Sequence, residues 1–307
     1  HIKDADADEQ TVIAIQIENE PGILGSDRDY SPTAQAVFRA AVPSSLVANM
    51  RAAGSGAVYA QWQRCGGRES GSWPELFGDR AGEFMTACSI ASYIEGLARA
   101  GKAVLDVPMY INVWLASGGW QMAGEYPSGG AIPATLDIYK WYTPNVDLIA
   151  PDIYVADARG YDAMCRAYAR PDNPLFIPES SPGGANAWQM MRAIGEHNAQ
   201  GYAFFAVEHV LDGQGDVAPA MRPIVDSMRC VSAAIPLLLS FQGSGKVHAV
   251  VQEENLRAQP FAFDGYHGLA EFGDVTAMRP PTDWRHTRRT DWVEQPGAGE
   301  RGRGLVF

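Results

Sequence analysis

The feature that most constrains this chain is a short apolar segment that ends abruptly in acidic and amide side chains. Residues 11–17 are almost all apolar or β-branched, which predicts a strand buried on both faces of a parallel sheet. Glu18, Asn19 and Glu20 end the segment, and the following Pro-Gly pair cannot continue a strand. Two carboxylates and an amide are therefore expected at the carboxyl end of a buried strand, where α/β barrels carry their catalytic groups.

A second segment of the same design occurs far downstream. Residues 174–178 are apolar, and Glu179 follows them before a loop rich in Ser, Pro and Gly. A single acidic strand end usually faces solvent, but two such glutamates meet the requirement for cleaving a glycosidic bond. One acts as a protonated acid beside the leaving oxygen, and the other as an ionised carboxylate beneath the sugar carbon. Glu20 and Glu179 therefore predict glycosidase chemistry.

Five segments of the chain carry a family resemblance, and they occur in the family's order. They are Gln16–Glu20, Pro108–Leu115, Glu125–Gly130, Ala150–Tyr154 and Phe176–Glu179. The first resembles the Q-x-E-N-E signature of glycoside hydrolase family 35, whose members are mostly β-galactosidases on (β/α)8 barrels. The similarity is greatest to a bacterial subgroup in which the signature leads into Gly-Ile-Leu-Gly-Ser and a long helical insertion. It covers about residues 11–245 of the chain.

The resemblance implies a role for each matching residue. Glu20 matches the general acid/base and Glu179 the nucleophile of a retaining double-displacement enzyme, whose carboxyl groups lie about 5 Å apart. Asn19 matches the amide that bonds the sugar 2-hydroxyl, and Tyr154 matches a tyrosine that donates a hydrogen bond to the nucleophile. Glu18 matches a position that the family often uses for sugar hydroxyls. From their places at strand ends or in loops on the expected catalytic face, Asn112, Trp114, Tyr126 and Glu208 are further expected substrate-binding residues.

Several of these residues are also consistent with a purely structural role. Glu18 is equally consistent with a structural ion pair, and Trp114 and Tyr154 with ordinary core packing. Many enzymes of this clan carry a tryptophan at the end of the eighth strand, whereas residues 204–209 here are Phe-Phe-Ala-Val-Glu-His. The sugar specificity therefore stays open between galactosides and other sugars of the same clan. A non-catalytic carbohydrate-binding barrel and an inactive fragment are also consistent with the sequence.

The implied fold class is α/β, a (β/α)8 TIM barrel followed by a β-rich accessory domain. Residues 1–242 are expected to form the C-terminal part of the barrel, and residues 243–307 the beginning of a truncated accessory domain. In the family the strand that carries the acid is the fourth of eight, so the chain is expected to cover strands four to eight. The missing N-terminal half of the barrel would be needed for a complete site.

Local signals predict the individual elements. Helices are expected to start at Ser31-Pro32, to cover residues 44–53 up to Gly54, to cover residues 83–100 up to Gly101, and to cover residues 185–199 with Gly201 as the cap. Residues 72–77 are expected to form a loop, and residues 109–115 and 202–207 to form strands. Trp120 is expected in a loop on the catalytic face, and Trp292 in the β-rich part.

Composition excludes several functional classes. The 307 residues are 46% apolar and 20% charged, which is typical of a globular protein. The net charge of -12 argues against a nucleic-acid partner, since phosphate binding requires clustered Lys and Arg. Apolar runs fall short of the roughly 20 residues that span a bilayer, so no membrane partner is expected.

The chemistry itself needs no metal and no organic cofactor, because two carboxylates and water complete it. The four cysteines form no C-x-x-C pair that would indicate a zinc site. The expected partner is an oligosaccharide or glycoside substrate, and a homo-oligomer is left open. Family analogy favours a periplasmic or secreted location.

Overall fold

The structure is a computed structural model that describes residues 1–116, 121–253, 258–263, 265–272 and 301–307. The chain forms two compact units, His1–Asp152 and Ile153–Phe307. Both units combine helices with short strands, so the expected α/β class is confirmed. The strands of the described residues form four small sheets and no closed barrel. The predicted domain boundary at residue 243 falls inside the second unit and stays a prediction.

A parallel three-stranded sheet organises the first unit, in the order β1-β2-β3. These strands are β1 Ile15–Gln16, β2 Met109–Trp114 and β3 Leu148–Asp152. β2 lies in the centre, pairing Ile15 with Met109 on one side and Trp114 with Asp152 on the other. Because parallel strands direct their carboxyl ends to one edge of a sheet, the polar residues that end these strands meet there.

The strand expected over residues 11–17 is much shorter than predicted. Only Ile15 and Gln16 are in β1, and Ile13 is 78% exposed although Ile17 is buried. Among the described strands β1 pairs with β2 alone, so it lies at an edge of the sheet. The prediction of a strand buried on both faces was wrong for this segment, because Ile13 is exposed and Ile15 and Gln16 are only half-buried.

The described part of the first unit contains seven α-helices, and several begin and end at the predicted signals. Ser31 caps α2, its side chain accepting from the Ala34 amide, and α3 ends at Gly54 in the left-handed conformation. The helices are α1 Ile2–Ala5, α2 Pro32–Arg39, α3 Ser44–Ala53, α4 Ala57–Arg64, α5 Trp73–Phe77, α6 Ala81–Val104 and α7 Leu136–Tyr142.

Two helical features of this unit differ from prediction. Residues 72–77 were expected to form a loop, but Ser72 and Glu75 form a capping box that starts α5. The Ser72 amide and hydroxyl both donate to Glu75 Oε2 at 2.7 Å. The long helix α6 was expected to end at Gly101, but it continues to Val104. A Cβ at Gly101 would lie 3.0 Å from Met109 Sδ, so this glycine allows close packing of α6 against β2.

The second unit continues the alternation of helix and strand. Its parallel pair is β4 Phe176–Ile177 and β5 Gly201–Tyr202, and its helices are α8 Ala158–Tyr168, α9 Ala187–His197 and α10 Arg222–Phe241. Short 3-10 helices cover Gly184–Asn186, Val207–Val210 and Pro219–Met221. Gly201 was predicted to cap α9, but Asn198 occupies the left-handed position at φ 54° and Gly201 begins β5 instead.

The C-terminal segment contains the expected β-structure. β6 His248–Val251 pairs antiparallel with β9 Arg303–Val306, and β7 Ala258–Phe263 pairs with β8 Tyr266–Glu271. β6 packs against α9, where the Ala249 amide donates to Glu196 Oε1 at 2.7 Å. Trp292, which the sequence suggests belongs to this β-rich part, lies outside the described residues.

Among the described residues, one helical stretch is long and apolar enough to cross a membrane. It is Pro219–Phe241, with a mean hydropathy of 1.5 and 22% of that window buried. Length and composition alone are weak grounds, since the core helix of a soluble protein meets the same criteria. The expectation of no membrane partner stays a prediction.

Candidate active site

The predicted acidic residues of the first unit lie in a strained turn after β1. Glu18 and Glu20 have positive φ angles of 57° and 44°, a region that residues with a β-carbon rarely adopt. The Gln16 side chain donates to the Glu18 carbonyl at 2.9 Å and so closes the turn. Strained backbone of this kind persists where the surroundings over-determine it, and it is concentrated at functional sites.

Asn112 on β2 holds the same turn from the neighbouring strand. Its Oδ1 accepts from the Glu20 amide at 2.9 Å, and its Nδ2 donates to Asn19 Oδ1 at 3.0 Å. Nδ2 also donates to Asp152 Oδ2 at 2.9 Å, and both Asn112 and Asp152 are buried. The side chain predicted to contact a sugar hydroxyl is thus directed to three protein groups.

Glu18 and Asn19 are exposed at this turn. The Tyr93 hydroxyl on α6 donates to Glu18 Oε1 at 2.8 Å, and this hydrogen bond raises the pKa of Tyr93. Asn19 Oδ1 accepts from Gln16 Nε2 at 3.2 Å as well as from Asn112. Because that oxygen already accepts two protein donors, a ligand hydroxyl would be bound by the Asn19 amide nitrogen.

Trp114 and Tyr126 differ sharply in exposure. Trp114 ends β2 and is 45% exposed, which suits a ring that stacks on a ligand. Tyr126 is 1% exposed, and its hydroxyl donates at 2.6 Å to Glu83, which also pairs with Arg80. Burial and the neighbouring Glu83 carboxylate raise the pKa of Tyr126. The structure therefore directs the Tyr126 hydroxyl into the interior of the first unit.

The two predicted residues of the second unit that follow strand ends are in direct contact. The Tyr154 hydroxyl donates to Glu179 Oε2 at 2.9 Å, as the resemblance implied. The backbone of Glu179 is fixed as well, because its carbonyl accepts from the Ile153 amide at 3.0 Å and Ser180 forms a parallel bridge with Ile153. Tyr154 is 46% exposed, so the pair faces solvent in part.

Glu208 lies away from a regular strand. β5 ends at Tyr202, Ala206 has a φ of 50°, and Glu208 is exposed on the 3-10 helix that follows. The predicted strand over residues 202–207 is therefore too long. Trp120, another aromatic residue predicted to lie near the catalytic face, is outside the described residues.

Sequence reasoning missed three residues that shape the turn after β1. Gln16 donates to Asn19, and Tyr93 donates to Glu18. Asp152 accepts from Asn112. Asp152 carried a signal that could have been used, since it ends the apolar strand β3 in the same way that Glu179 follows β4. Tyr93 is one residue of a 24-residue helix, and nothing in the local sequence distinguishes it.

Comparison with known proteins adds no assignment. No protein-family model matches the chain, and no curated protein is significantly similar to it. We therefore infer a function from the geometry of these residues and from the five resembling segments.

Proposed function

We propose that this protein is a retaining glycoside hydrolase that removes terminal β-galactosyl residues by double displacement. The observation that carries the proposal is the hydrogen bond from Tyr154 to Glu179, at 2.9 Å after a parallel strand. A nucleophilic carboxylate must stay ionised and must hold one oxygen toward the anomeric carbon. A phenol that donates to the other oxygen meets the second need, since it fixes the rotamer of the carboxylate.

In this proposal the two glutamates divide the chemistry. Glu179 attacks the anomeric carbon and forms the glycosyl-enzyme, while Glu20 gives its proton to the leaving oxygen. Glu20 then takes a proton from water, which attacks the same carbon and releases the sugar with its original configuration. Asn19, next to Glu20, binds the sugar 2-hydroxyl through its amide nitrogen, a contact that tightens as charge develops at the anomeric carbon.

The turn after β1 supports the assignment of Glu20. Glu18 and Glu20 both adopt positive φ, and side chains from β1 and β2 hold them in that conformation. A loop that only faced solvent would not need such backbone strain. The exposed Trp114 ring at the end of β2 supports a sugar platform in the same unit. Both observations agree with a site that binds a polar ring and reacts at one carbon.

We further propose that the five parallel strands β1 to β5 belong to a (β/α)8 barrel. Each of them is followed by at least one helix before the next strand, and each pairing between them is parallel. That alternation is typical of βα repeats. The candidate residues end strands or follow them at the carboxyl side, where the active sites of such barrels lie.

The test is a panel of 4-nitrophenyl glycosides with the anomer of the product followed by NMR. We expect release from the β-galactoside, with the β-anomer formed first. Glu179→Gln should lower kcat by at least about 1,000-fold, because it removes the nucleophile. Glu20→Ala should lower kcat by about 100-fold or more, and azide should restore part of the rate on an activated substrate.

A matched control separates chemistry from loss of charge. Glu271 is an exposed carboxylate at the end of β8 in the same unit as Glu179, and Glu271→Gln should leave kcat unchanged. Release of glucose, mannose or xylose in place of galactose would move the proposal to another member of the clan. A folded protein that binds galactosides without releasing nitrophenol would refute catalysis and indicate a binding protein.

A further inference from the structure

The buried side chains behind the Glu18–Glu20 turn form a chain of hydrogen bonds that the proposed chemistry does not use. Asp152 Oδ2 accepts from Asn112 Nδ2, and Asn112 then contacts Asn19 and the Glu20 amide, all at 2.9 to 3.0 Å. Asn112 is fully buried and Asp152 is 3% exposed. All of these residues lie in the first unit.

We propose that Asn112, oriented by Asp152, is a positioning residue that holds Glu20 in place for proton transfer. This inference rests on the proposed function, because it gives Glu20 the role of general acid/base. In this proposal Asn112 contacts the protein, in place of the sugar contact that its position in the strand predicts.

The direction of each hydrogen bond supports the assignment. An asparagine amide has one accepting oxygen and a donating nitrogen, and the turn needs both, because it presents the Glu20 amide as a donor and Asn19 Oδ1 as an acceptor. An isolated asparagine could flip and exchange the two ends. Asp152 prevents this flip, since a carboxylate only accepts and so fixes the nitrogen end on its side.

The backbone strain of the turn explains why Glu20 needs the hydrogen bond to Asn112. Glu18 and Glu20 adopt positive φ angles that cost energy unless the surroundings enforce them. Asn112 bonds to the peptide of Glu20 itself, so its loss would let the backbone of the acid/base relax. Misplacing a catalytic group by about 1 Å can lower a rate by about 100-fold.

The test uses Asn112→Asp, which keeps the size of the side chain and an oxygen for the Glu20 amide. It replaces the donating nitrogen by an oxygen that faces two acceptors, on Asn19 and Asp152. Phenyl β-galactoside has a poor leaving group that needs the acid, whereas the 2,4-dinitrophenyl galactoside does not. We expect kcat/KM to fall by about 100-fold on the first substrate and by less than about fivefold on the second.

Two further readouts separate positioning from a structural role. The limb of the pH profile that reports the acid should weaken or move for phenyl galactoside in Asn112→Asp, and azide should raise kcat on the dinitrophenyl substrate. The control is Asn145→Asp, where Asn145 Nδ2 donates to Glu95 Oε1 at 2.6 Å away from the turn. This control also places two carboxylates together, and it should lower stability while both rates stay unchanged.

The outcomes distinguish this inference from the proposed function. Wild-type turnover with equal losses on both substrates in Asn112→Asp would overturn the positioning role and leave the hydrolase proposal intact. No turnover by folded wild-type protein would overturn both. If Asn112→Asp does not fold, Asp152→Asn is the second variant, with an expected loss of at least about threefold confined to phenyl galactoside. Equal rates of that variant and the wild type on phenyl galactoside would then refute the inference.

Discussion

The ion cluster between α8 and α9 yields the most quantitative prediction. Asp162 accepts two hydrogen bonds from Arg192, at 2.9 Å to Oδ1 and 2.7 Å to Oδ2. His197 Nε2 lies 2.9 Å from Asp162 Oδ1, and Arg192 also donates to Glu253 at 2.7 Å. The Asp162 and Arg192 side chains are each 14% exposed, so solvent screens this pair only weakly.

This geometry sets the sign and the size of the effect of Asp162→Asn. Burial alone would raise the pKa of Asp162, but hydrogen bonds from His197 and Arg192 outweigh it and lower the pKa from 3.8 to about 2. At about 1.4 kcal/mol per pKa unit, the ionised carboxylate contributes about 2 to 3 kcal/mol to folding above the pKa of the unfolded chain. We expect Asp162→Asn to lower the free energy of unfolding by about that amount.

The difference between wild type and variant must also depend on pH. A lowered carboxyl pKa stabilises the fold above the pKa of the unfolded chain, near 3.8, and loses its effect as pH falls through about 2. The difference at pH 3 should therefore be about half of the difference at pH 5.

The assay is urea unfolding of both proteins at several pH values. Because the chain forms two compact units, hydrogen exchange of peptides from α8 and α9 should assign the transition to the second unit. Asp172→Asn is the control, since Asp172 makes a similar two-point contact with Arg170 but its side chain is 47% exposed. That exposed pair should contribute at most about 1 kcal/mol. Equal losses in the two variants, or a difference that persists to pH 2, would refute the reasoning.

Three further changes have expected outcomes. Tyr154→Phe removes the donor to Glu179 and should lower kcat by about 10- to 100-fold in steady-state kinetics. Calorimetry should show unchanged thermal stability. An unchanged kcat would contradict the assignment of the nucleophile. Gly22→Ala should lower the melting temperature and kcat together, because the new Cβ would lie 2.6 Å from the Pro127 carbonyl oxygen. Wild-type values of both quantities would show that the loop adjusts freely. Ser72→Ala removes the capping box of α5 and should cost about 0.5–2 kcal/mol in urea unfolding, with wild-type activity.

The regular elements were predictable where local signals agree. β2 was predicted over residues 109–115 and spans Met109–Trp114, and α3 covers the predicted residues 44–53. In β2 a run of apolar and aromatic residues follows Val107-Pro108, and in α3 a glycine in the left-handed conformation ends the helix. Each signal acts within a few residues of the element, so sequence alone locates it.

The errors arose where distant contacts decide the structure. Residues 11–14 have strand-forming side chains, but β1 starts only at Ile15, where pairing with Met109 begins. Gly201 resembles a helix cap, yet Asn198 takes that conformation three residues earlier. In both cases the local pattern permits two outcomes, and contacts with another segment select one of them.

The candidate site likewise contains features that the sequence predicts and features that depend on distant contacts. The residue types at the strand ends, Glu20 and Glu179, follow from the segments themselves, and the bond from Tyr154 to Glu179 was expected from the resemblance. The buried support was not predictable, because Asn112 and Asp152 are 40 residues apart and Asn112 is 92 residues from Glu20.

The strain at Glu18 and Glu20 explains why such support is needed at all. A positive φ at a non-glycine residue costs on the order of 1–3 kcal/mol, and glycine at either position would remove that cost. Glycine cannot supply a carboxylate, so a chain that needs Glu20 at this backbone position must enforce the turn from outside it. Gln16 does so from the same strand and Asn112 from the next one, each with a bond to the backbone of the turn. A turn that served only to connect β1 to α2 could relieve the strain with glycine and would need neither contact.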